Sequence, residues 1–593
     1  MYSVKKFAGT IALMTLTLLG ALVFPVSAQM PYGGTIVVGV FEEPSSVNVL
    51  SKERWINYMV CAHTYDTLFS LDSDFNTIPC LAKRYEVSKD AKTWTFYLVD
   101  NAVWHDGRPV TSADVKFTIE YLLKGKYSWL MVYVGNIQSV ETPDKYTVVI
   151  KYKSPNVKAP YDFSSYSVLM MPEHVWKDIP TDKALTHPNM PMVGSGPWKF
   201  EEWKTGQYIR FSANEKYWGG RAYIDTMIWK FFPVKAVGVD ALKVGEVDLL
   251  ARDIPGTAVK SLMEAPDIKV TIAPGGSWRG LTFNCNPNGT GNPTLLDRVV
   301  RKALSISIDR ELLVRMIHLG YFTPTATFSL HPVYSNRKIA PEFNLTKAAD
   351  MLTKAGYIDR NGDGIRESPK GVKMEYQFLV VRKWEEEARS GEMIKTWWNQ
   401  IGVGVKEIRL ADAGTLDSLI YPKYNFDLFL WGWPDRPDPS WIFAVWLTNQ
   451  IGGMNEWGYS NPKYDELYLK QEVELDPQKR KEMLWEMQQI VYDDSPAAIL
   501  YNDATIVGHN LKKFSGFVFA PGGLPSPYNT MIQKAYSLTV KPVTTTATTA
   551  ATTAAAPSEL LSPWTIALLI LVVCGIALVY IVQRRGRGKA TSG

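Results

Sequence analysis

Thr93-Trp94-Thr95-Phe96-Tyr97-Leu98-Val99, Trp104-His105-Asp106-Gly107-Arg108-Pro109 and Thr111-Ser112-Ala113-Asp114-Val115 follow one another within a single stretch. Trp94, Phe96 and Leu98 alternate with polar or amphipathic neighbours, the period-two pattern of a half-buried strand. Asp106 to Pro109 has turn chemistry, and Thr111 with Asp114 three residues on is a helix start signal. Strand, turn and helix therefore succeed one another within some twenty residues.

The same interleaving holds outward from this stretch. Thr35–Val40 is a β-branched run after Gly33-Gly34, and Tyr146–Tyr152 alternates through Val148 and Ile150; both read as strands. Leu296–Ile306 and Asp309–Leu319 carry apolar residues at helical spacing, the second stopping at Gly320. Thr346–Ala355 and the amphipathic Pro477–Val491 add two more helices. No internal repeat is present. The expected fold class is α/β, or mixed α+β, with mixed sheets.

The ends give the address. Lys5 and Lys6 precede an apolar run from Phe7 to Val26, and Val26-Ser27-Ala28 offers a cleavage site, so residues 1–28 read as a signal peptide. Trp564–Val582 is nearly continuous apolar sequence, followed at once by Arg584, Arg585, Arg587 and Lys589. That pattern predicts a transmembrane helix over 563–582 with a basic cytoplasmic tail at 583–593. Residues 541–562, with Thr544–Pro557 almost all Thr and Ala, read as a solvated stalk with a reach on the order of 40–50 Å. The expected location is the cell membrane, single-pass, with the body extracellular. A net charge of +5, part of it in the leader and tail, implies no nucleic-acid partner. Cys574 falls in the membrane helix; Cys61 and Cys80 are candidates for a disulfide, and Cys285 sits in an apolar strand pattern.

Four ordered blocks carry a family resemblance. The first runs from Leu81-Ala82 and Tyr85-Glu86-Val87-Ser88 through Trp94-Thr95-Phe96 to Trp104–Pro109 and Thr111–Val115. The second is Gly194-Ser195-Gly196-Pro197-Trp198-Lys199-Phe200, continuing to Asn214 and Tyr217-Trp218-Gly219-Gly220. The third is Ala241-Leu242 and Gly245-Glu246-Val247-Asp248, then Asp297–Leu304 and Ile308-Asp309-Arg310. The fourth is Tyr459-Ser460-Asn461-Pro462 with Tyr464-Asp465-Glu466-Leu467. In these the chain resembles the extracellular solute-binding proteins of family 5, the dipeptide and oligopeptide receptors of ABC importers. The resemblance implies a two-lobed periplasmic-binding-protein-like clamp. Lobe I would comprise 31–55, 188–273 and 503–540, with an extra domain at 56–187, and lobe II would comprise 274–502. The chain would cross between lobes near 273 and 502. Ligand would bind between the lobes, and the closed form would deliver it to permease subunits. Anchoring by a C-terminal helix, with no lipidation cysteine after the leader, looks like the archaeal arrangement.

Resemblance also nominates the site. In Leu430-Trp431-Gly432-Trp433-Pro434-Asp435-Arg436-Pro437-Asp438-Pro439, Asp435 stands where peptide-binding relatives pair an Asp with the ligand's ammonium, although its spacing from Trp433 is one residue short. A buried ammonium needs a carboxylate at close range. Arg382 lies near where dipeptide receptors carry a carboxylate-binding Arg, although Glu385, Glu386 and Glu387 offer it local ion pairs. Trp431, Trp433, Trp278 and Trp457, with Asp438, complete the candidate ligand-binding set. Tryptophan faces also stack on sugar rings, so an oligosaccharide is the alternative ligand. Asp359-Arg360-Asn361-Gly362-Asp363-Gly364 resembles the start of a calcium loop but has Lys370 at the twelfth position, and reads as a turn. Seven scattered histidines show no metal-ligand spacing, so no metal or other cofactor is implied. Asn288 and Asn344 open candidate glycosylation sequons. No carboxylate pair stands out, so the chain is read as a receptor and not an enzyme, with a surface-anchored hydrolase as the distant alternative.

Overall fold

The computed structural model describes residues 32–517 and 540–542, apart from 51–54, 73–74, 128, 166, 251–253, 383, 422 and 437. The leader, membrane helix and tail expected from the sequence lie outside the described residues, as does the stalk beyond Lys541 and Pro542, which pair with Ser515 and Phe514 as a short strand. Among the described residues, no helix is long and apolar enough to cross a membrane.

One mixed sheet organises the body. Its strand order is Gly404–Ala411, Glu375–Val381, Leu428–Pro434, Ile268–Phe283, Ala497–Asn510, Leu249–Leu250, Thr35–Val40, Thr226–Phe231, Tyr208–Ala213 and Trp198–Lys204. Pairing is parallel at Thr35–Val40 with both its neighbours, and at Glu375–Val381 with both of its own. Each such group is an α/β half, with helices such as Lys235–Lys243 in the first and Glu385–Asn399 in the second. The halves have separate cores. Val38, Phe211 and Trp229 centre one, and Phe283, Leu304, Phe378 and Trp398 the other.

The two central strands connect the halves. Ile268–Phe283, about 50 Å long at ordinary strand rise, pairs antiparallel with Ala497–Asn510 along most of its length. The ladder breaks between Pro274 and Trp278, opposite Asn502 to Ala504. Local chemistry explains the break. Pro274 has no N–H to give, Asp503 Oδ1 accepts from Ser277 N at 3.0 Å, and a Cβ on Gly275 would lie 2.0 Å from Asp503 Oδ1. The strands pass too closely there for any side chain.

A four-stranded antiparallel sheet, Ala82–Val87, Thr93–Leu98, Thr147–Tyr152 and Ile137–Asp144, packs into the first core. Trp94, Phe96 and Leu98 are buried as their alternation predicts. Helix Ser112–Gly125 begins where Thr111 N donates to Asp114 Oδ2 at 2.8 Å. The turn at Trp104–Arg108 meets the second sequence block, since His105 N donates to Gly194 O at 2.7 Å and Gly196 N to Thr64 O at 2.8 Å. Asp66 secures this junction by accepting from Ser195 Oγ at 2.9 Å and Trp218 Nε1 at 3.2 Å.

Cys61 and Cys80 are not bridged, which corrects the disulfide expectation. Both thiols are free and buried: Cys61 Sγ reaches Val47 O at 3.3 Å, and Cys80 Sγ lies 3.8 Å from Asp66 Oδ1. Burial pushes both thiols well above their ordinary value, so they behave as small apolar groups.

Candidate functional site

Strand Leu428–Pro434 delivers the loop that the sequence singles out. Asp435, 2% exposed, follows it directly. Its N–H donates to Gly276 O at 2.8 Å, and its carboxyl accepts from Leu330 N at 2.8 Å, Arg436 N at 2.9 Å and Ser329 Oγ at 3.4 Å. Asp435 thus pins the loop to the central-strand bulge and to the 329–330 segment. Burial pushes its pKa up to about 7, with those hydrogen bonds pulling the other way.

Beyond Asp435 the loop faces the four-stranded module. A cavity of about 210 Å³ opens there, walled by Tyr133, Lys158 and Asp162 on one side and by Arg436, Asp438 and Trp441 on the other. Two contacts span it. Arg436 Nη1 donates to the Tyr133 hydroxyl at 2.6 Å, and Lys158 Nζ lies 3.7 Å from Glu472 Oε2. The Arg436 guanidinium also stacks 4.1 Å from the Trp441 ring centre. Asp438 is paired with buried Arg480 at 2.9 Å. Burial alone would raise its pKa, but Arg480 and Lys158 hold it below the usual carboxylate range. Asp162 is pushed up to about 7 by burial despite Lys158 beside it.

A second, larger crevice of about 470 Å³ lies between the two halves. Pro255, Gly256 and Asp503 line it from the first half and the central strands; Arg279, Trp384 and Glu387 line it from the second. The sequence does not single out Arg279, because it sits in the strand Ile268–Phe283, where a charged residue reads as an outward-facing position. Its guanidinium lies 5.0 Å from the Trp384 ring centre. A Cβ on Gly432, opposite in the register, would stand 2.7 Å from Arg279 Cδ and 2.1 Å from Trp278 O, so only glycine lets the arginine lie across this strand.

The other predicted residues divide. Trp431 packs on Trp384 with centroids 5.0 Å apart, and Trp433 meets Trp441 edge-on at 6.2 Å; both are half-buried beside the two openings. Glu456, which the sequence did not suggest, takes the Tyr421 hydroxyl at 3.3 Å, and burial pushes it up to about 8. Trp278 and Trp457 line neither opening. They are 1% and 0% exposed and sandwich with Trp446 in the second half's core, where Trp446 and Trp457 stack at 3.8 Å. Arg382 is exposed, with Nη2 donating to Leu410 O at 3.1 Å. Its glutamate neighbours pair elsewhere, Glu386 with Arg389 and Glu387 with Arg279. Asn288 and Asn344 are exposed, and Asn344 Oδ1 caps the helix Leu345–Lys354. Asp359, Asp363 and Glu367 converge within 4.8 Å, but Asp359 accepts from Gly362 N and Gly364 N, Asp363 pairs with Lys373, and Glu367 accepts from Arg360 N. That is a turn closed on itself.

Comparison with known proteins places this geometry. The family model for bacterial extracellular solute-binding proteins, family 5 (middle), matches residues 76–454. The oligopeptide-binding protein AppA of Bacillus subtilis is 26% identical over 496 residues, covering 81% of this chain and 89% of that protein. A putative ABC transporter peptide-binding protein of Brucella ovis is 27% identical over 479 residues, covering 77% and 85%. Among solved structures, AppA of Bacillus subtilis in complex with a nonapeptide superposes with a TM-score of 0.67 at 24% identity, over 87% of this chain and all of that one. A periplasmic oligopeptide-binding protein of Thermotoga maritima gives 0.75 at 20% identity, over 86% and 99%. The fold is thus the two-lobed, mixed α/β fold of periplasmic binding proteins. With the family model spanning well over half of the sequence, the chain belongs to the bacterial extracellular solute-binding proteins of family 5.

Proposed function

We propose that this protein is the receptor of an ABC-type importer, capturing di- or oligopeptides between its lobes and delivering them, chemically unchanged, to membrane permease subunits. The observation that carries this reading is the pair of central strands, interrupted between Pro274 and Trp278 and again between Arg279 and Gly280, with a crevice beside them walled by both halves. A molecule held there touches both halves only when they are closed, so its binding energy shifts the open–closed equilibrium. The names of the relatives, oligopeptide-binding and peptide-binding proteins, support peptides as the ligand class.

In this reading lobe I is built from 31–55, 188–273 and 503–540, lobe II from 274–502, and the extra domain is 56–187. The leader 1–28 exports the body, and the 563–582 helix tethers it outside the cell through the 541–562 stalk. Asp435 receives the ligand's ammonium, flanked by Trp431 and Trp433, with Asp438 fixed beside it by Arg480. No residue acts as a catalyst. The aromatic lining of the smaller cavity, Tyr133, Tyr161, Trp441 and Tyr468, favours an oligosaccharide as the second reading, because such faces also stack on sugar rings.

Calorimetry separates the two. Oligoalanine peptides of two to nine residues should give heats on the full-length protein, and cello- and malto-oligosaccharides should not. Heat from the sugars alone would replace peptides by sugars, and recovery of a cleaved peptide would end the receptor reading.

A further inference from the structure

Three asparagines in the chain have a threonine two residues on: Asn288, Asn292 and Asn344. That spacing, without proline between, is the acceptor signature for N-linked sugar on an exported protein. The fold treats the three differently. Asn292 is followed by Pro293, and its Nδ2 is engaged with the carbonyls of Lys373 at 2.8 Å and Glu375 at 3.2 Å. Asn288 is exposed, but its sequon is tied to a neighbouring segment. Thr290 N donates to Tyr424 O at 3.1 Å, and the Thr290 hydroxyl donates to Asn425 Oδ1. Gly289 passes so close that a Cβ there would lie 2.9 Å from Tyr424 O. A transferase selects its acceptor by the asparagine amide and the hydroxyl two residues on together, and this hydroxyl is already committed to the fold.

Asn344-Leu345-Thr346 has neither obstacle. Asn344 and Thr346 are both exposed, and so is Phe343 before them. Asn344 stands in extended backbone, φ −157° and ψ 97°, just outside the helix Leu345–Lys354. Its N–H is held by Ile306 O at 2.8 Å, and its Oδ1 caps the helix by accepting from Lys347 N at 2.8 Å. Among the described residues neither Asn344 Nδ2 nor the Thr346 hydroxyl has a hydrogen-bond partner. Cap and modification therefore use different atoms. Sugar attaches through Nδ2, and Oδ1 remains the acceptor for the helix N–H. The segment lines neither the larger crevice nor the smaller cavity, so a sugar attached there starts outside both openings.

We propose that Asn344 is an N-glycosylation site and that the sequon at Asn288 is passed over. In the step, Asn344 Nδ2 bonds to C1 of the first sugar of a lipid-linked oligosaccharide pyrophosphate. The C1–O bond breaks, the pyrophosphate leaves with the electron pair, and the amide gives up one proton; nothing is oxidised or reduced. The donor is met outside the cytoplasm, so the inference rests on the reading that residues 1–28 export the body.

Mass spectrometry of the full-length protein, purified from membranes of the cells that produce it naturally, tests the assignment. Trypsin cuts out residues 339–347 around Asn344, and residues 280–298 around Asn288 and Asn292. The first peptide should carry the added mass of an oligosaccharide in most copies, located at Asn344 by fragmentation. The second should have the mass of its unmodified sequence. T346A, made in the same cells, should remove the added mass while keeping the Asn344 cap, and T346S, which returns the hydroxyl, should restore it. Peptide 339–347 at its unmodified mass, or sugar on Asn288, overturns the assignment and needs no variant to fold. Added mass that persists in T346A also overturns it. Protease applied to intact cells separates the two ways of failing. If the body is cut from outside and Asn344 is bare, the site assignment is wrong; if the body is protected, the export reading fails and this inference with it.

Discussion

Asp435 has an ordinary carboxyl value of 3.8 that burial pushes up to about 7. Between those values the folded protein keeps a proton that the unfolded chain releases, so Asp435 makes stability fall as pH rises from about 4 to 7. The full effect is at most on the order of 4 kcal/mol. D435N should remove this slope, at the price of about 1 kcal/mol at every pH for the acceptor lost at Leu330 N, Arg436 N or Ser329 Oγ. Melting temperatures of both proteins from pH 5 to 8 check it: parallel curves would show that Asp435 does not titrate in that window. A bound ammonium pulls the same pKa down, so trialanine binding at pH 6 should release a proton, seen as buffer-dependent heat, and D435N should abolish that release. At this scale the sequence is least legible. Trp278 and Trp433 face each other across one strand pair, yet the first lies in a tryptophan stack and the second is half-buried at the strand end. Side-chain type and strand assignment are the same for both; what differs is which layer covers each, and that is set by residues such as Trp446 and Trp457, far away in sequence.

Elements are far more legible, because their signals are local. Thr35–Val40, Ser112–Gly125 and Pro477–Asp494 begin where the β-branched run, the Thr111 capping signal and the amphipathic spacing place them. The family blocks are legible for a related reason: they hold elements together. Arg301, 5% exposed, donates to the carbonyls of Leu295, Leu296, Asp494 and Ser495, and Arg310, 3% exposed, to those of Ser305 and Ile499. Such residues identify the fold without touching a ligand. What local pattern cannot show is a close pass between strands distant in sequence, and Gly275 is the case here. Alanine there would bring a methyl carbon within 2.0 Å of Asp503 Oδ1 and 2.6 Å of Asp503 O. G275A should therefore destabilise by about 1–3 kcal/mol, through forced separation of the central strands. Denaturant unfolding measures this, and a loss below about 0.5 kcal/mol would mean that the strands part freely at the bulge.

For the whole molecule, if the lobes open and close as proposed, the contacts across the smaller cavity should set how often the clamp is shut. Arg436 to Tyr133 and Lys158 to Glu472 join the second half to the four-stranded module, and both exist only when these parts meet. A hydrogen bond from a charged donor contributes about 1.5–3 kcal/mol, so Y133F, which keeps the ring and removes the acceptor, should lower the closed population by about tenfold or more. Dyes on cysteines replacing Val244 and Leu469, 78% and 69% exposed and one in each half, report closure by energy transfer. Saturating peptide should restore Y133F to the transfer efficiency of the wild type, since the variant changes the equilibrium and not the closed structure. Apparent affinity must then fall by the same factor as the closed fraction of the ligand-free protein, because binding draws on that fraction alone. If affinity falls and the ligand-free closed fraction does not, Tyr133 is a ligand contact, and the hold on closure lies elsewhere.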